Sequence, residues 1–375
     1  MYSSAPLRGD RSAEAIALSN GIRLALEQAG GRAGRLRVRY RPLDNSARPG
    51  GPPSPEAAAD NARNVARDDD AVAYIGELDE GSSISIPVSN EGGIAQIGTA
   101  DTAVGLTTNE AGANPGEPQK FYPSTKRTFV RIVPRDTIQG AALVSLARRS
   151  GCTKLAIVND GTRFGTGLAL SLQAAGRLQR LEIGFEATID PHKTSYRSQA
   201  RRARLSGVDC FAFAGLPSSA PTRVYRDFGA ALADADLFGP DRLAVASFTD
   251  PDAGGVSARL GERIRLTVST LPPDYPADAK RFVRRYERIY DAEPLPSALY
   301  GYEAMRLVLE AIGRSGDGDR AAVIRELYET KDRESVLGSY SVDPNGDTSR
   351  VSFGVCSIID GTLRVDGSIR AEVAQ

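Results

Sequence analysis

Apolar positions first recur at helical spacing: Ile22, Ala25, Leu26 and Ala29 fall three and four residues apart, and Gly30-Gly31 ends that helix. Leu36, Val38 and Tyr40 then alternate with arginines, the period-two pattern of a strand. A proline- and glycine-rich loop over 45–55 leads into a helix from Pro55 through Val65, and apolar strands are predicted over 71–75 and 94–97. Further short apolar runs fall at 129–132, 155–158, 210–214, 243–246 and 264–268, with helix-length periodic segments between most of them. This alternation predicts parallel sheets covered by helices. After Val268 come helical patterns over 278–290, 298–314 and 320–328, then strand-turn-strand signals from Ser339 onward, as if the chain returns to its first lobe.

Length turns this rhythm into two domains, because 375 residues exceed one ordinary hydrophobic core. The predicted division puts 1–135 and 270–335 in a first lobe and 136–268 and 338–375 in a second. The chain then crosses near 135–137, 266–270 and 335–339, and the three crossings form a hinge.

Composition removes several classes of function. Apolar residues are 41% and charged residues 25%, enough for a packed core. Lys plus Arg and Asp plus Glu are both 47, with no basic arm or stripe, so no nucleic-acid partner is expected. The densest basic run, Arg197, Arg201, Arg202 and Arg204, reads as the solvated face of a helix. No apolar run approaches the roughly 20 residues that span a bilayer, and residues 1–10 lack the basic and apolar regions of a secretion signal. Since Met1-Tyr2-Ser3-Ser4 reads as entering a first strand directly, this says little about destination.

Chemistry is sparse as well. Three cysteines, Cys152, Cys210 and Cys356, without a C-x-x-C spacing, and a single histidine, His192, argue against a metal site, and no cofactor is expected. Cys152 and Cys210 each begin a candidate strand; they form either a disulfide between parallel neighbours or two buried thiols, and a disulfide would favour an oxidising compartment. His192 lies in a polar Asp-Pro-His-Lys loop with no G-x-S-x-G elbow, and no phosphate loop occurs. Phe164-Gly165-Thr166-Gly167 follows a strand and opens a helix, but a dinucleotide loop would need a third glycine. The turn over 343–347 alternates carboxylates without a calcium loop's bidentate glutamate in register, and reads as a plain hairpin turn. Binding is what remains.

Ligands of open α/β sheets sit beyond the carboxyl ends of the strands, where loops and helix N-termini present unpaired N–H groups. Those ends carry Gly76-Glu77 with Ser82 and Ser83, then Thr99 to Ala103, Asn159-Asp160 with Phe164, Gly215-Leu216, and Gly239-Pro240-Asp241, the last read as leading into a strand. Taken singly, Ser82 and Thr102 are equally well explained as helix caps, and Phe164 as core filling.

The same stretches carry a resemblance: YIGE at 74–77, ADTAVGLT at 100–107, RDTIQG at 135–140, NDGTRFGTGLA at 159–169, GPD at 239–241 and YGYEAM at 300–305. In this order, over essentially the whole chain, the set resembles the branched-chain amino-acid binding proteins, the Leu/Ile/Val group of type I periplasmic binding proteins. That resemblance implies an α/β fold of two doubly wound parallel-sheet lobes joined by a three-crossing hinge. It implies a monomeric, extracytoplasmic solute-binding protein, periplasmic or held at the cell surface by a lipid anchor, that closes on an amino acid and delivers it to an ABC permease. Ser82 or Ser83, with Ala100 and Thr102, would hold the α-carboxylate, and Asp241 the α-ammonium. A zwitterion in a closed cleft needs both charges hydrogen-bonded, or desolvation costs several kcal/mol. Phe164 and Leu216 stand where the family often has tyrosines, so the side-chain pocket is expected to be apolar. Asp79 and Glu80 add negative charge beside the serines. Two competing readings are a ligand-sensing receptor domain for amides or organic acids, and a hydrolase using Asp79, Glu80 and Asp241.

Overall fold

The apolar runs become two sheets in the computed structural model, which describes residues 1–9, 11–47, 53–78, 81–271 and 276–373. Residue contacts divide the chain into two units: Met1–Asn109, Asn114–Pro134 and Pro273–Arg350 form one, and Glu110–Ala113, Arg135–Pro272 and Val351–Gln375 the other. The loop expected over 45–55 lies partly outside the described residues, and Asp79 and Glu80 lie wholly outside them.

The first unit begins with β1 (Tyr2–Ala5), α1 (Ser12–Gln28), a small ribbon of β2 (Arg32–Ala33) and β3 (Leu36–Arg37), and β4 (Arg41–Asp44). It continues with α2 (Pro55–Arg67), β5 (Ala73–Ile75), α3 (Ser82–Glu91), β6 (Ala95–Gly98) and β7 (Phe129–Arg131). The five-stranded sheet runs β4-β1-β5-β6-β7, parallel throughout. β5, β6 and β7 are short and buried on both faces, as strands of parallel sheets tend to be. The expected strand through Val38 and Tyr40 breaks after Arg37, and Arg41–Asp44 pairs with β1 instead. Ser54 caps α2, its hydroxyl accepting the Ala57 N–H at 3.2 Å, with Pro55 at the first helical position.

The second unit follows: α4 (Asp136–Arg149), β8 (Lys154–Asn159), α5 (Arg163–Gln179), β9 (Glu182–Thr188), α6 (Arg197–Leu205), β10 (Cys210–Ala214), α7 (Ser219–Ala231) and β11 (Asp236–Gly239). Two single-turn helices, α8 (Ala246–Thr249) and α9 (Ala258–Gly261), precede β12 (Ile264–Val268). The first unit then gains α10 (Ala277–Tyr290), α11 (Pro296–Ser315) and α12 (Arg320–Tyr328), and the second its closing hairpin, β13 (Ser352–Ile359) and β14 (Thr362–Arg370). This sheet runs β14-β13-β12-β11-β10-β8-β9, parallel from β9 to β12 and antiparallel at the hairpin. Arg197, Arg201, Arg202 and Arg204 are exposed on α6.

Three expectations need correction. The apolar run at 243–246 is not a strand: it forms a 3₁₀ turn and the start of α8, and the strand is β11, whose Leu237, Phe238 and Gly239 are buried. Pro240, without an N–H, cannot extend a central ladder. Asp241 therefore leaves a strand instead of approaching one. Secondly, β9 went unread because an edge strand with partly exposed sides lacks an apolar run. Thirdly, the chain passes to the second unit after Arg350, not within 335–339. Val336, Leu337, Tyr340 and Val342 fill the first unit's core, and bridges Arg333↔Tyr340 and Arg131↔Asp347 hold the segment there.

Helices α1 and α11 meet backbone to backbone. A Cβ on Gly21 would fall well inside contact distance of the Ala298 carbonyl oxygen, and one on Gly301 inside that of Leu18. The YGYEAM motif is thus a core motif. Its Glu303 is fully buried, accepting from Arg333 Nε at 2.6 Å and the Tyr340 hydroxyl at 2.8 Å, and burial raises its pKa.

Cys152 and Cys210 form a disulfide, with Cα atoms 6.0 Å apart. Cys356 is a buried thiol pushed up to about 12, chiefly by burial. Alkylation at pH 8 is therefore expected to label no cysteine in the native protein, one after unfolding without reductant, and three after unfolding with it; mass spectrometry counts them.

Candidate functional site

Ser82, Ser83, Ala100 and Thr102 share one edge of the first unit, because β5 and β6 are parallel neighbours with Ile75 opposite Ile97 and both loops leave their carboxyl ends. The loop after β5 closes on itself. Ser82 is fully buried and opens α3, and its Oγ accepts the Glu77 N–H at 3.2 Å, which leaves the hydroxyl proton to donate. The Glu77 carboxylate is buried too, accepting from Asn45 Nδ2 at 2.6 Å and from the Tyr74 hydroxyl. Ser83 is half-buried in the first turn of α3.

The loop after β6 carries Ala100, half-buried, and Thr102, 6% exposed. Neither Ser82 nor Thr102 caps a helix: the cap positions of α3 and of the 3₁₀ turn at Val104–Leu106 are Gly81 and Ala103, without side-chain cap bonds. Asp101 Oδ1 accepts the Ala103 N–H at 3.2 Å and folds the loop locally. Thr99 Oγ1 is buried with no hydrogen-bond partner among the described residues.

In the second unit, Phe164, Leu216 and Asp241 follow β8, β10 and β11, which are adjacent in the sheet. Asp160 organises two of the three loops. Its Oδ1 accepts the Thr162 N–H at 3.0 Å and the Thr162 hydroxyl at 2.6 Å, while Oδ2 accepts the Leu216 N–H at 2.7 Å. Thr162 in turn caps α5 through the Gly165 N–H. A side chain at Gly165 would collide with Asp160 Oδ1, and one at Gly215 would lie 2.7 Å from its Oδ2.

Phe164 is 6% exposed and packs in the second unit's core, with Leu216 partly buried against the same cluster. The Arg242 guanidinium lies 5.6 Å from the Phe164 ring centroid, within cation–π range. Asp241 is half-buried, and its Oδ1 is buried without a hydrogen-bond partner among the described residues.

Each unit thus gathers small polar residues at the carboxyl ends of its strands, the second adding the apolar Phe164 and Leu216 and the Asp241 carboxylate. The sequence placed Glu77 and Asp160 at the strand ends without their roles as holders of the loops. For Asp160 a signal existed: an acid right after a strand, two residues before a threonine that opens a helix, is a turn-and-cap pattern.

The fold is that of an α/β protein whose two units each carry loops of small polar residues at the carboxyl ends of parallel strands. The chain belongs to the type I periplasmic binding proteins: the family model described as "Periplasmic binding protein" matches residues 4–352. No curated protein sequence matches it. Among solved structures it is similar to a leucine binding protein, LivK, from Thermotoga maritima (20% identity, 98% of each chain covered, TM-score 0.77). It is also similar to the branched-chain amino acid transporter substrate binding protein LivJ from Streptococcus pneumoniae in complex with isoleucine (18% identity, 99% of each chain, TM-score 0.74). A third is an ABC-transporter solute binding protein from Rhodopseudomonas palustris in complex with p-hydroxybenzoic acid (15% identity, 99% of this chain and 97% of that one, TM-score 0.77).

Proposed function

We propose that the protein is the extracytoplasmic solute-binding component of an ABC importer and captures a small carboxylate with an apolar body, by default an amino acid. The observation that carries this reading is the chemistry of the two strand-end edges. In the first unit, the Ser82 hydroxyl proton, Ser83, and the backbone at Ala100 and Thr102 suit a carboxylate. In the second, Asp241 Oδ1, buried without a partner among the described residues, suits an ammonium beside apolar Phe164 and Leu216. A ligand held first by one unit and then by both makes its extra contacts only on closure, and those contacts drive closure about the three chain passages. The closed form then docks on a membrane permease. No substrate turnover is expected.

A second reading has its own support: Phe164 and Leu216 offer no hydroxyl for an amino-acid ligand, and an aromatic carboxylate needs no ammonium partner. The solved relatives include both ligand types.

Thermal-shift titration with L-leucine, L-isoleucine, L-valine, benzoate and p-hydroxybenzoate separates these readings, since a ligand of the folded state alone raises the melting temperature. Leucine or isoleucine is expected to stabilise the wild type. Asp241→Asn is expected to weaken that binding by at least about tenfold, the loss of roughly 1.4 kcal/mol, and to leave benzoate unaffected. Equal amino-acid affinity in Asp241→Asn would remove Asp241 from the site.

A further inference from the structure

Among the described residues, one of the largest fully buried side chains is a cation, Arg131, at the end of β7. Every nitrogen of its guanidinium is engaged. Nε donates to Asp347 Oδ1 at 2.6 Å, Nη1 to the carbonyls of Asp101 (3.3 Å) and Ala103 (2.8 Å), and Nη2 to Thr107 Oγ1 at 2.7 Å. The Thr107 hydroxyl donates in turn to Asp347 Oδ2 at 2.9 Å. Asp347 is itself fixed, because its N–H and that of Asn345 donate to Asp343 Oδ1, and the Arg131 N–H donates to the Gly346 carbonyl at 2.8 Å. Gly346 sits at φ +91°, where a side chain would strike the Phe129 carbonyl. The turn over 343–347 is therefore more than a plain hairpin turn: it docks an acid beneath the loop after β6.

Stability alone does not explain this arrangement. An apolar pair of similar volume often serves a core as well as a buried ion pair or better. What the apolar pair lacks is donors for the carbonyls of residues 101 and 103 and for the hydroxyl of Thr107, which mark the start, middle and end of one loop. A trans peptide is planar, with its C=O and the following N–H opposed. Turning the Asp101 carbonyl toward Arg131 therefore turns the Thr102 N–H away from it.

We infer that Arg131, locked by Asp347 and Thr107, is a positioning residue for ligand recognition: it sets the 101–102 and 103–104 peptide planes and so the presentation of Thr102. This rests on the reading of that edge as the carboxylate-binding edge.

The test is the double variant Arg131→Met/Asp347→Leu, with Thr107→Val as the milder companion. Two readouts are taken: affinity for L-leucine and benzoate, and amide hydrogen exchange. The expected result is a double variant that melts within about 5 °C of wild type while every ligand that binds the wild type binds at least about tenfold more weakly. Exchange is expected to accelerate within 99–107 and to remain unchanged in β8 and β10. Thr107→Val should show the same pattern in smaller measure, and it carries the test alone if the double variant does not fold. Wild-type exchange over 99–107, or unchanged affinity beside accelerated exchange, overturns the assignment. If neither probe binds even the wild type, the ligand reading fails, and exchange over 99–107 alone decides whether Arg131 holds the loop.

Discussion

Serine at both 152 and 210 is expected to lower the unfolding free energy of the second unit by about 4 kcal/mol, the chain-entropy value for a loop of this length. The bridged residues are 58 apart in sequence, and the loop between them carries β8, α5, β9 and α6. The native end of the transition changes little, because the strand starts are held independently. Asp209 accepts the N–H groups of Thr153 (3.0 Å) and Lys154 (2.9 Å) and the Thr153 hydroxyl. The loss therefore falls on the unfolded chain, which gains freedom. Urea denaturation checks this, and reductant on the wild type should reproduce the serine curve. A shift below about 1 kcal/mol would sink the claim that the bridge constrains the unfolded state. The Asp209 clamp has its own pH signature. Burial pushes the carboxyl up, but the donated hydrogen bonds outweigh it and hold the pKa below its ordinary value. Its contribution is then complete above the unfolded-state pKa near about 4 and fades as the pH falls through the folded one.

The second large effect concerns a substitution that normally helps. Replacing a mid-helix glycine by alanine favours a helix by about 1 kcal/mol. At Gly21 and Gly301 the sign should reverse, because the added methyl meets the carbonyl of the opposing helix, which is backbone and cannot swing aside as a flexible side chain can. Overpacking of this kind costs about 3 kcal/mol, so a net loss near 2 kcal/mol is expected for each single variant. Since both glycines lie in the one contact between α1 and α11, separating the helices at one site relieves the other. The double variant should lose less than the sum of the singles. Thermal melts of the three variants decide; additive losses would mean that the helices yield locally instead of moving apart.

What the sequence disclosed follows the physics of each element. β10, buried at every position, is a continuous apolar run and was located to the residue, as was β12, where Ile264, Leu266 and Val268 alternate with Arg265 and Thr267. The edge strand β9 left no such trace. The run at 243–246 misled because a short apolar segment after a proline packs as well in a turn as in a strand. At the candidate site, Ser82, Thr102 and Phe164 stood out from their places after strands, whereas Asp241 was read as leading into a strand and was singled out only through the family resemblance. Their supports did not stand out: Arg131 looks like any charged residue at a strand end until the chain brings Asp347, 216 residues on, against it. The third chain passage was misplaced for the same reason, since the acid that ties residues 336–350 to the first unit finds its partner only through the fold.

Asp160 has a consequence for how binding preferences change over evolutionary time. One carboxylate grips the backbone on both sides of the apolar surface, through the Thr162 and Leu216 N–H groups, and neither bond involves the Phe164 or Leu216 side chain. Those two positions can exchange aromatic for aliphatic, or gain and lose a hydroxyl, on a scaffold that does not shift. On the proposed reading of this edge, a change of solute needs only a change of these side chains, with Asp160 preserving the backbone frame.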